Sequence, residues 1–219
     1  KKISGINEAL EKAKNVNWNG NWSTVDSLKI KSIPTLNYGN LSDFIYCLIN
    51  KFSNRNKEGF AIIPAIFFPN QNRNGSNVKE ITFLSFDFDD VKIDNFHKIL
   101  DTLFLNKIYI FHTTYSSQEK KDIYKFRLYI PLSNPILPSE QFVLLNYYFQ
   151  RIKEIDKTCI IDTKCIDPSR GFYTIKNSPH NKPMVYFSEG NLFNPFQPTD
   201  EMNLLGLIEI YNSSSQKKN

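Results

Sequence analysis

The chain has 219 residues, 41% hydrophobic and 14% aromatic, which excludes a disordered chain and allows a substantial core in one large domain or one domain with an insertion. Its 27 Lys and Arg against 22 Asp and Glu give a net charge of +5, mildly basic and compatible with a polyanionic partner. No apolar run is long enough to cross a bilayer, and the three cysteines (Cys47, Cys159, Cys165) are odd in number with no Cys-x-x-Cys pair. A reduced, intracellular and cytoplasmic setting without a membrane or structural zinc is therefore expected. No signal peptide is visible, and a first residue of Lys1 is what a piece of a longer protein would carry.

In chain order, residues 1–40 are polar and Asn-rich. They predict a short helix over 6–13, with Trp18 and Trp22 packed on the body. Residues 41–52 predict a better helix, with Ser42 as N-cap and Phe44, Ile45, Leu48, Ile49 and Phe52 on one face. The apolar run 59–68, broken by Pro64, reads as one strand or two short ones, and 69–77 as a loop carrying Arg73. Residues 81–90 predict a buried strand that ends in carboxylates. A helix follows over 91–105, then strands over 107–114 and 124–132 joined by a polar turn, an antiparallel hairpin with Pro131 as its stop. Residues 139–155 predict a helix capped by Ser139. Strand character returns around Ile160 and Ile161 and again at Phe172 and Tyr173. Beyond residue 177 only a closing helix over 201–211 is expected. Strands interleaved with helices point to an α+β sheet domain covered by helices on one face.

Three clusters carry chemistry. The first is Asp87-x-Asp89, two carboxylates two residues apart on a strand and so on one face. Like charges that close call for a cation between them, which a hard, oxygen-seeking Mg²⁺ or Mn²⁺ would supply. The same pair also fits an acidic strand end in a solvated turn. The second is Lys125-Phe126-Arg127, two cations on one strand face that could grip a triphosphate or simply face solvent on an edge strand. The third runs from an apolar strand ending in Asp162 through Asp167-Pro168-Ser169-Arg170 into an aromatic strand. Asp167 reads as a turn cap, with Asp162 and Arg170 as functional candidates. Phosphoryl and nucleotidyl transfer need this combination: carboxylates to hold metal ions and cations to stabilise phosphates, with no nucleophilic Ser or Cys.

The order of these motifs resembles the archaeo-eukaryotic primase (AEP) superfamily over residues 59–176. Phe-Asp-Phe-Asp at 86–89 matches its first motif, and Ile161-Asp162 its third. Lys125-Phe126-Arg127 falls where the family usually has Ser-x-His. His112-Thr113-Thr114-Tyr115-Ser116, Arg127-Leu128-Tyr129-Ile130-Pro131-Leu132 and Asp167-Pro168-Ser169-Arg170 are similar to the branch in replication proteins of plasmids, phages and mobile elements.

The resemblance implies an AEP-type catalytic core with an RRM-like antiparallel sheet and a second small α/β subdomain across a cleft. Residues 1–58 would be a helical and irregular part of the same domain, 59–176 the core, 177–212 a packing segment and 213–219 a tail or linker. It implies a primase-polymerase using Mg²⁺ or Mn²⁺, NTP or dNTP, a single-stranded DNA template and a primer, with a helicase as domain or partner. Asp87, Asp89 and Asp162 would be metal ligands. Lys125, Arg127 and Arg170 would contact the triphosphate, with His112 and Arg73 as further nucleotide-binding candidates. The Arg at motif two cannot donate a proton near neutral pH, so that role is absent or falls to a group such as His112. A replication-initiation module that binds nucleic acid without synthesis, a metal-dependent nuclease and an Asp-x-Asp glycosyltransferase are the other readings.

Overall fold

Val78–Val91 (β5) runs through the centre of the fold. This computed structural model of the chain describes residues 3–49, 58–196 and 206–207. In chain order β5 is preceded by α1 (Ile6–Lys14), β1 (Gly20–Val25), β2 (Thr35–Gly39), α2 (Leu41–Leu48), β3 (Ala61–Ile63) and β4 (Ala65–Phe67). It is followed by α3 (Ile93–Leu103), β6 (Ile110–Thr113), β7 (Tyr124–Ile136), α4 (Pro138–Ile155), β8 (Ile160–Ile161), β9 (Phe172–Tyr173) and β10 (Val185–Phe187). The larger sheet has the order β10-β6-β7-β5-β4, with β8 also on β5, and the smaller has the order β2-β1-β3-β9. All pairings between these strands are antiparallel, so the α+β class expected from the sequence is the class observed.

Alternation along β5 separates its two faces. Phe86 and Phe88 turn to the helices: Phe86 packs edge-on to Tyr148 and Phe149 of α4, and Phe88 edge-on to Phe96 of α3. Phe83 turns the other way, stacked on Phe44 of α2 with ring centroids 4.3 Å apart and against Trp18. Phe44 also meets Trp22 of β1 and Tyr129 of β7, tying the smaller sheet to the larger through one aromatic cluster. The arrangement is helices, large sheet, then small sheet with α2, and the residues of interest lie between the two sheets.

Pro64 does more than interrupt a strand. β3 before it belongs to the small sheet and β4 after it to the large one, so the chain changes sheets there. The Pro64 carbonyl accepts from the Thr82 N–H.

Several sequence expectations need correction. The polar N-terminal part contains β1 and β2, whose alternation is masked by Asn, Ser and Thr. The cap of α2 is Asn40, not Ser42. The Asn40 side chain accepts from the Asp43 N–H at 3.0 Å while the Asp43 carboxylate accepts from the Asn40 N–H at 2.9 Å, a reciprocal capping box. Ser42 is buried and donates to the Leu10 carbonyl. Strand β7 runs past Pro131 to Ile136. β6 pairs with β7 only up to Tyr129, so Pro131 deprives no β6 carbonyl of a donor, and its own carbonyl accepts from Phe193. In α4 it is Pro138 that occupies the first turn, and the Glu140 carboxylate reaches back to the Leu137 N–H at 2.7 Å. The short strand β10, in a Pro- and Asn-rich stretch, gave no periodic signal. Of the expected helix 201–211 only Gly206 and Leu207 are described, both helical, and 213–219 lie outside the described residues. Among the described residues no helix is long and apolar enough to cross a membrane.

Replacing Asn40 by Ala removes one arm of the capping box and should lower stability by about 1 kcal/mol in denaturant unfolding, with an unchanged m-value.

Candidate active site

The antiparallel registers put three of the sequence candidates in one row across the large sheet. Arg127 of β7 stands opposite Asp87 of β5 on one side and opposite His112 of β6 on the other. Phe88 pairs with Ile161 of β8, and the Asp162 N–H donates to the Asp87 carbonyl at 2.9 Å, which brings Asp162 beside Asp87. Residues directly opposite in such a ladder share a face. Asp87, Arg127, His112 and Asp162 therefore belong to the face turned toward the small sheet.

Asp89 shares the face of Asp87, as alternation along β5 predicts, but the ladder is irregular from there on. Phe88 pairs with Phe126, but the next pair is Val91 with Tyr124, so Asp89 and Asp90 together oppose Lys125. On the other edge the register also slips by one residue, from Phe88–Ile161 to Asp90–Ile160. This is a β-bulge, a device that re-aims a side chain at the price of local ladder pairing. It splits the acidic triplet: Asp87 and Asp89 line the cleft between the sheets, whereas Asp90 turns into a neighbouring groove, 3.9 Å from the Lys125 ammonium.

The back of the cleft is closed by Arg127. Its Nε donates to Asp87 Oδ2 at 3.3 Å and its Nη1 to the Tyr173 carbonyl of β9 at 2.5 Å. One side chain thus joins the large sheet to the small one. The Arg127 and Asp87 side chains are 14% and 11% exposed, so this is a nearly desolvated ion pair. Burial, the largest single influence, would depress the guanidinium pKa, but Asp87 together with Tyr129 and Cys165 outweighs it and the pKa rises. A second pair lies beside it, where Arg170 Nη2 bonds Asp162 Oδ2. The other Asp162 oxygen accepts from the Lys164 N–H at 3.0 Å. Next to Arg170, a Cβ at Gly171 would lie 2.2 Å from Leu28 Cδ2, so a larger residue there would displace the Leu28 side chain.

Among the described residues no Arg or Lys forms an ion pair with Asp89. Burial pushes its carboxyl pKa up, and Asp87 adds to the shift, as does Asp162 to a smaller degree. Lys125 and Arg127 oppose it without prevailing. The three carboxylates therefore lie within electrostatic reach of one another.

The cleft has three walls: Asp87, Asp89 and Arg127 from β5 and β7, Thr114, Tyr115 and Ser116 from the loop after β6, and Tyr173, Thr174 and Lys176 from β9 and the residues after it. Lys176 was not foreseen. It is 3% exposed and closes the apolar run 172–175, as Asp162 closes its own run, which is the signal available in the sequence.

The remaining candidates lie elsewhere. Lys125 borders the adjacent groove, where Ser116 is shared with the cleft. His112 is fully buried behind Arg127, stacked on Tyr129 with centroids 5.9 Å apart, and does not reach the cleft. Its Nδ1 lies 2.9 Å from the Thr113 carbonyl, which can only accept, so Nδ1 carries the proton. Burial and the neighbouring Arg127 push its pKa down to about 3, and the ring is neutral. Arg73 is also placed differently from expectation. Its guanidinium donates to the Leu28 and Ser169 carbonyls and fastens the loop before β2 to the turn before β9.

Hard oxygen donors suit Mg²⁺ or Mn²⁺, and the mutual repulsion at Asp89 is what such an ion would relieve. Among the described residues, however, no group of three or more His, Cys, Asp or Glu side chains is pre-arranged as a metal site. Asp87 and Asp162 each face a guanidinium instead.

No family model and no curated protein matches this chain. Two solved structures are similar to it. The polymerase domain of Mycobacterium tuberculosis ligase D in complex with DNA has 16% identity and a TM-score of 0.40, covering 73% of this chain and 58% of that one. The AEP domain of the cyanophage S-2L primase-polymerase has 9% identity and a TM-score of 0.42, covering 94% of this chain and 95% of that one. The chain thus spans little more than half of the ligase polymerase domain.

Two stability predictions follow from the electrostatics. Asp87→Ala leaves a buried guanidinium without its carboxylate and should cost about 3–5 kcal/mol, whereas Asp89→Asn removes an unfavourable charge and should raise the melting temperature at pH 7. Thermal and denaturant unfolding of the two variants check this contrast. Because the folded-state pKa of His112 lies below its ordinary value, its contribution to stability is complete above pH 6.5 and is lost as the pH falls toward 3. From pH 6.5 to about pH 5 that loss is about 2 kcal/mol, and His112→Phe should flatten the stability–pH curve by that amount.

Proposed function

We propose that the cleft is a nucleotidyl-transfer site. It would take a nucleoside triphosphate with Mg²⁺ or Mn²⁺ and extend or synthesise a primer on single-stranded DNA, the reaction of a primase-polymerase. One observation carries this reading: Asp87 and Asp89, with Arg127 beside them on the same wall, share a cleft with Lys176 on another, and the hydroxyls of Thr114, Ser116 and Thr174 line it as well. A metal–triphosphate complex presents the complementary pattern, cationic toward the carboxylates and anionic toward the guanidinium and ammonium.

In this reading Asp87 and Asp89 hold the ion from the β5 bulge. Asp162 joins them by exchanging its contact with Arg170, which frees that guanidinium for phosphate. The bound ion would polarise the phosphoryl group and neutralise developing charge on the attacking and leaving oxygens. Lys176 and Arg127 position the phosphates, and the Thr114 and Ser116 hydroxyls supply donors to their oxygens, while that of Thr174 is held by the Phe60 carbonyl. No imidazole lines the cleft, since His112 is neutral and buried behind Arg127. The chain's own contribution is therefore positioning and electrostatics, not proton transfer from motif two. Lys120 and Lys125 border the groove that shares Ser116 with the cleft, where a template or primer backbone would pass.

A second reading has its own observation. Asp87 and Asp162 are both held by guanidinium groups, so a domain that binds nucleic acid without synthesis would need no rearrangement. Primer extension with labelled nucleotides separates the two, because a binder shifts template mobility and extends nothing. The proposal expects Mn²⁺-dependent extension by the wild type. Asp89→Asn should stay folded and lose roughly a thousandfold in rate, and Lys176→Met should raise KM for the triphosphate roughly tenfold. Extension by Asp89→Asn at the wild-type rate would sink the site.

A further inference from the structure

One wall of the cleft is a loop, and loops keep their place only where their backbone polar groups are satisfied. Thr114, Tyr115 and Ser116 lie on it. The loop is tied to β7 by the Thr114 N–H, which donates to the Lys125 carbonyl, and by Ser117 Oγ, which accepts from the Lys125 N–H at 3.1 Å. Its carbonyls point the other way, toward the segment that follows β9.

That segment meets them with one amide. Asn181 is 5% exposed, and its Nδ2 donates to the Ser117 carbonyl at 2.7 Å and the Thr114 carbonyl at 3.1 Å. A longer contact reaches the Tyr115 carbonyl at 3.4 Å. Ser178, 1% exposed, adds a hydroxyl donated to that same carbonyl at 2.5 Å, and its oxygen accepts from the His180 N–H at 3.1 Å. The His180 ring sits edge-on to Tyr115, centroids 6.1 Å apart. The segment that delivers these groups is the one that carries Thr174 and Lys176 into the cleft from the opposite side.

We infer that Asn181, assisted by Ser178, is a positioning residue of the cleft: it sets the distance between the Thr114–Ser116 wall and the Lys176 wall, and so the fit of the nucleotide between them. This rests on the nucleotide reading above. An amide is the side chain the position requires. A carboxylate of the same shape would present only acceptors to a ring of carbonyl oxygens, and an alkyl group would take the Asn181 donor from the Ser117 carbonyl and leave Thr114 and Tyr115 with one donor each, the Ser117 N–H and the Ser178 hydroxyl. Asn181 touches none of the carboxylates and meets Thr114 only at its backbone carbonyl, not at the hydroxyl, so its effect passes through the loop.

Amide hydrogen exchange and steady-state kinetics on wild type, Asn181→Ala, Asn181→Asp and Ser178→Ala test this. The loss of one buried hydrogen-bond donor should speed exchange at residues 114–118 about tenfold, with the β5–β7 amides unchanged, and raise KM for the triphosphate about tenfold with kcat nearly constant. Asn181→Asp should exceed Asn181→Ala, and Ser178→Ala should move both readouts the same way by less. Unchanged exchange in the loop would overturn the clamp. Faster exchange with an unchanged KM would overturn its role in the cleft. A kcat and KM that fall with global stability would make Asn181 merely structural, and Ser178→Ala, the milder variant, decides this if the Asn181 variants do not fold. Should the wild type incorporate no nucleotide, the exchange result still judges the clamp, while the nucleotide reading and the role assigned here fall together.

Discussion

The buried guanidinium of Arg127 is the contact on which the rest of the structure turns. It bonds a carboxylate on one sheet and a backbone carbonyl on the other, and both bonds lie where water is nearly excluded. In such surroundings a charge is tolerated only when paired and hydrogen-bonded, so the pair constrains how the sheets can sit. The register of β5 with β7 makes the contact possible by placing Arg127 opposite Asp87. The register of β3 with β9 makes the second half possible by presenting Tyr173 to the same cleft. Arg127 is thus part of the wall before it is anything else.

The acidic side of the cleft has the opposite character. Asp89, at the edge of a bulge, lies where its charge is unfavourable, and among the described residues Lys125 and Arg127 relieve it only in part. Natural sites often retain a locally destabilising group because the ligand supplies the missing interaction. Asp162 is paired with Arg170, and in the proposed reading its carboxylate exchanges that partner for the ion. The proposed chemistry therefore draws on one fixed ion pair and one exchangeable one.

Much of the fold was legible because β5, α3 and the β6–β7 hairpin have strong apolar periodicity. β1 and β2 were not, since their Asn, Ser and Thr residues are satisfied by cross-strand and side-chain contacts that no local pattern announces. For the site, chain order was enough to bring Asp87, Asp162 and Arg127 into one neighbourhood. Alternation along β5 placed Asp89 on the same face, but nothing local announced the burial of His112, which depends on the sheet that covers it. Arg73 looked like a free loop cation and proved to be tied to two carbonyls. Lys176 and Asn181 escaped notice because a segment without periodicity acquires its role only when it packs against a loop some sixty residues earlier in sequence.

The most direct test is a crystal structure with Mn²⁺ and a non-hydrolysable nucleoside triphosphate, read by the anomalous signal of the metal. The account predicts a manganese peak bonded to Asp87 and Asp89, with the Asp162 carboxylate turned toward it and Arg170 released. A triphosphate bound with no metal at those carboxylates, or a metal bound elsewhere while the Asp162–Arg170 pair stays closed, would contradict it.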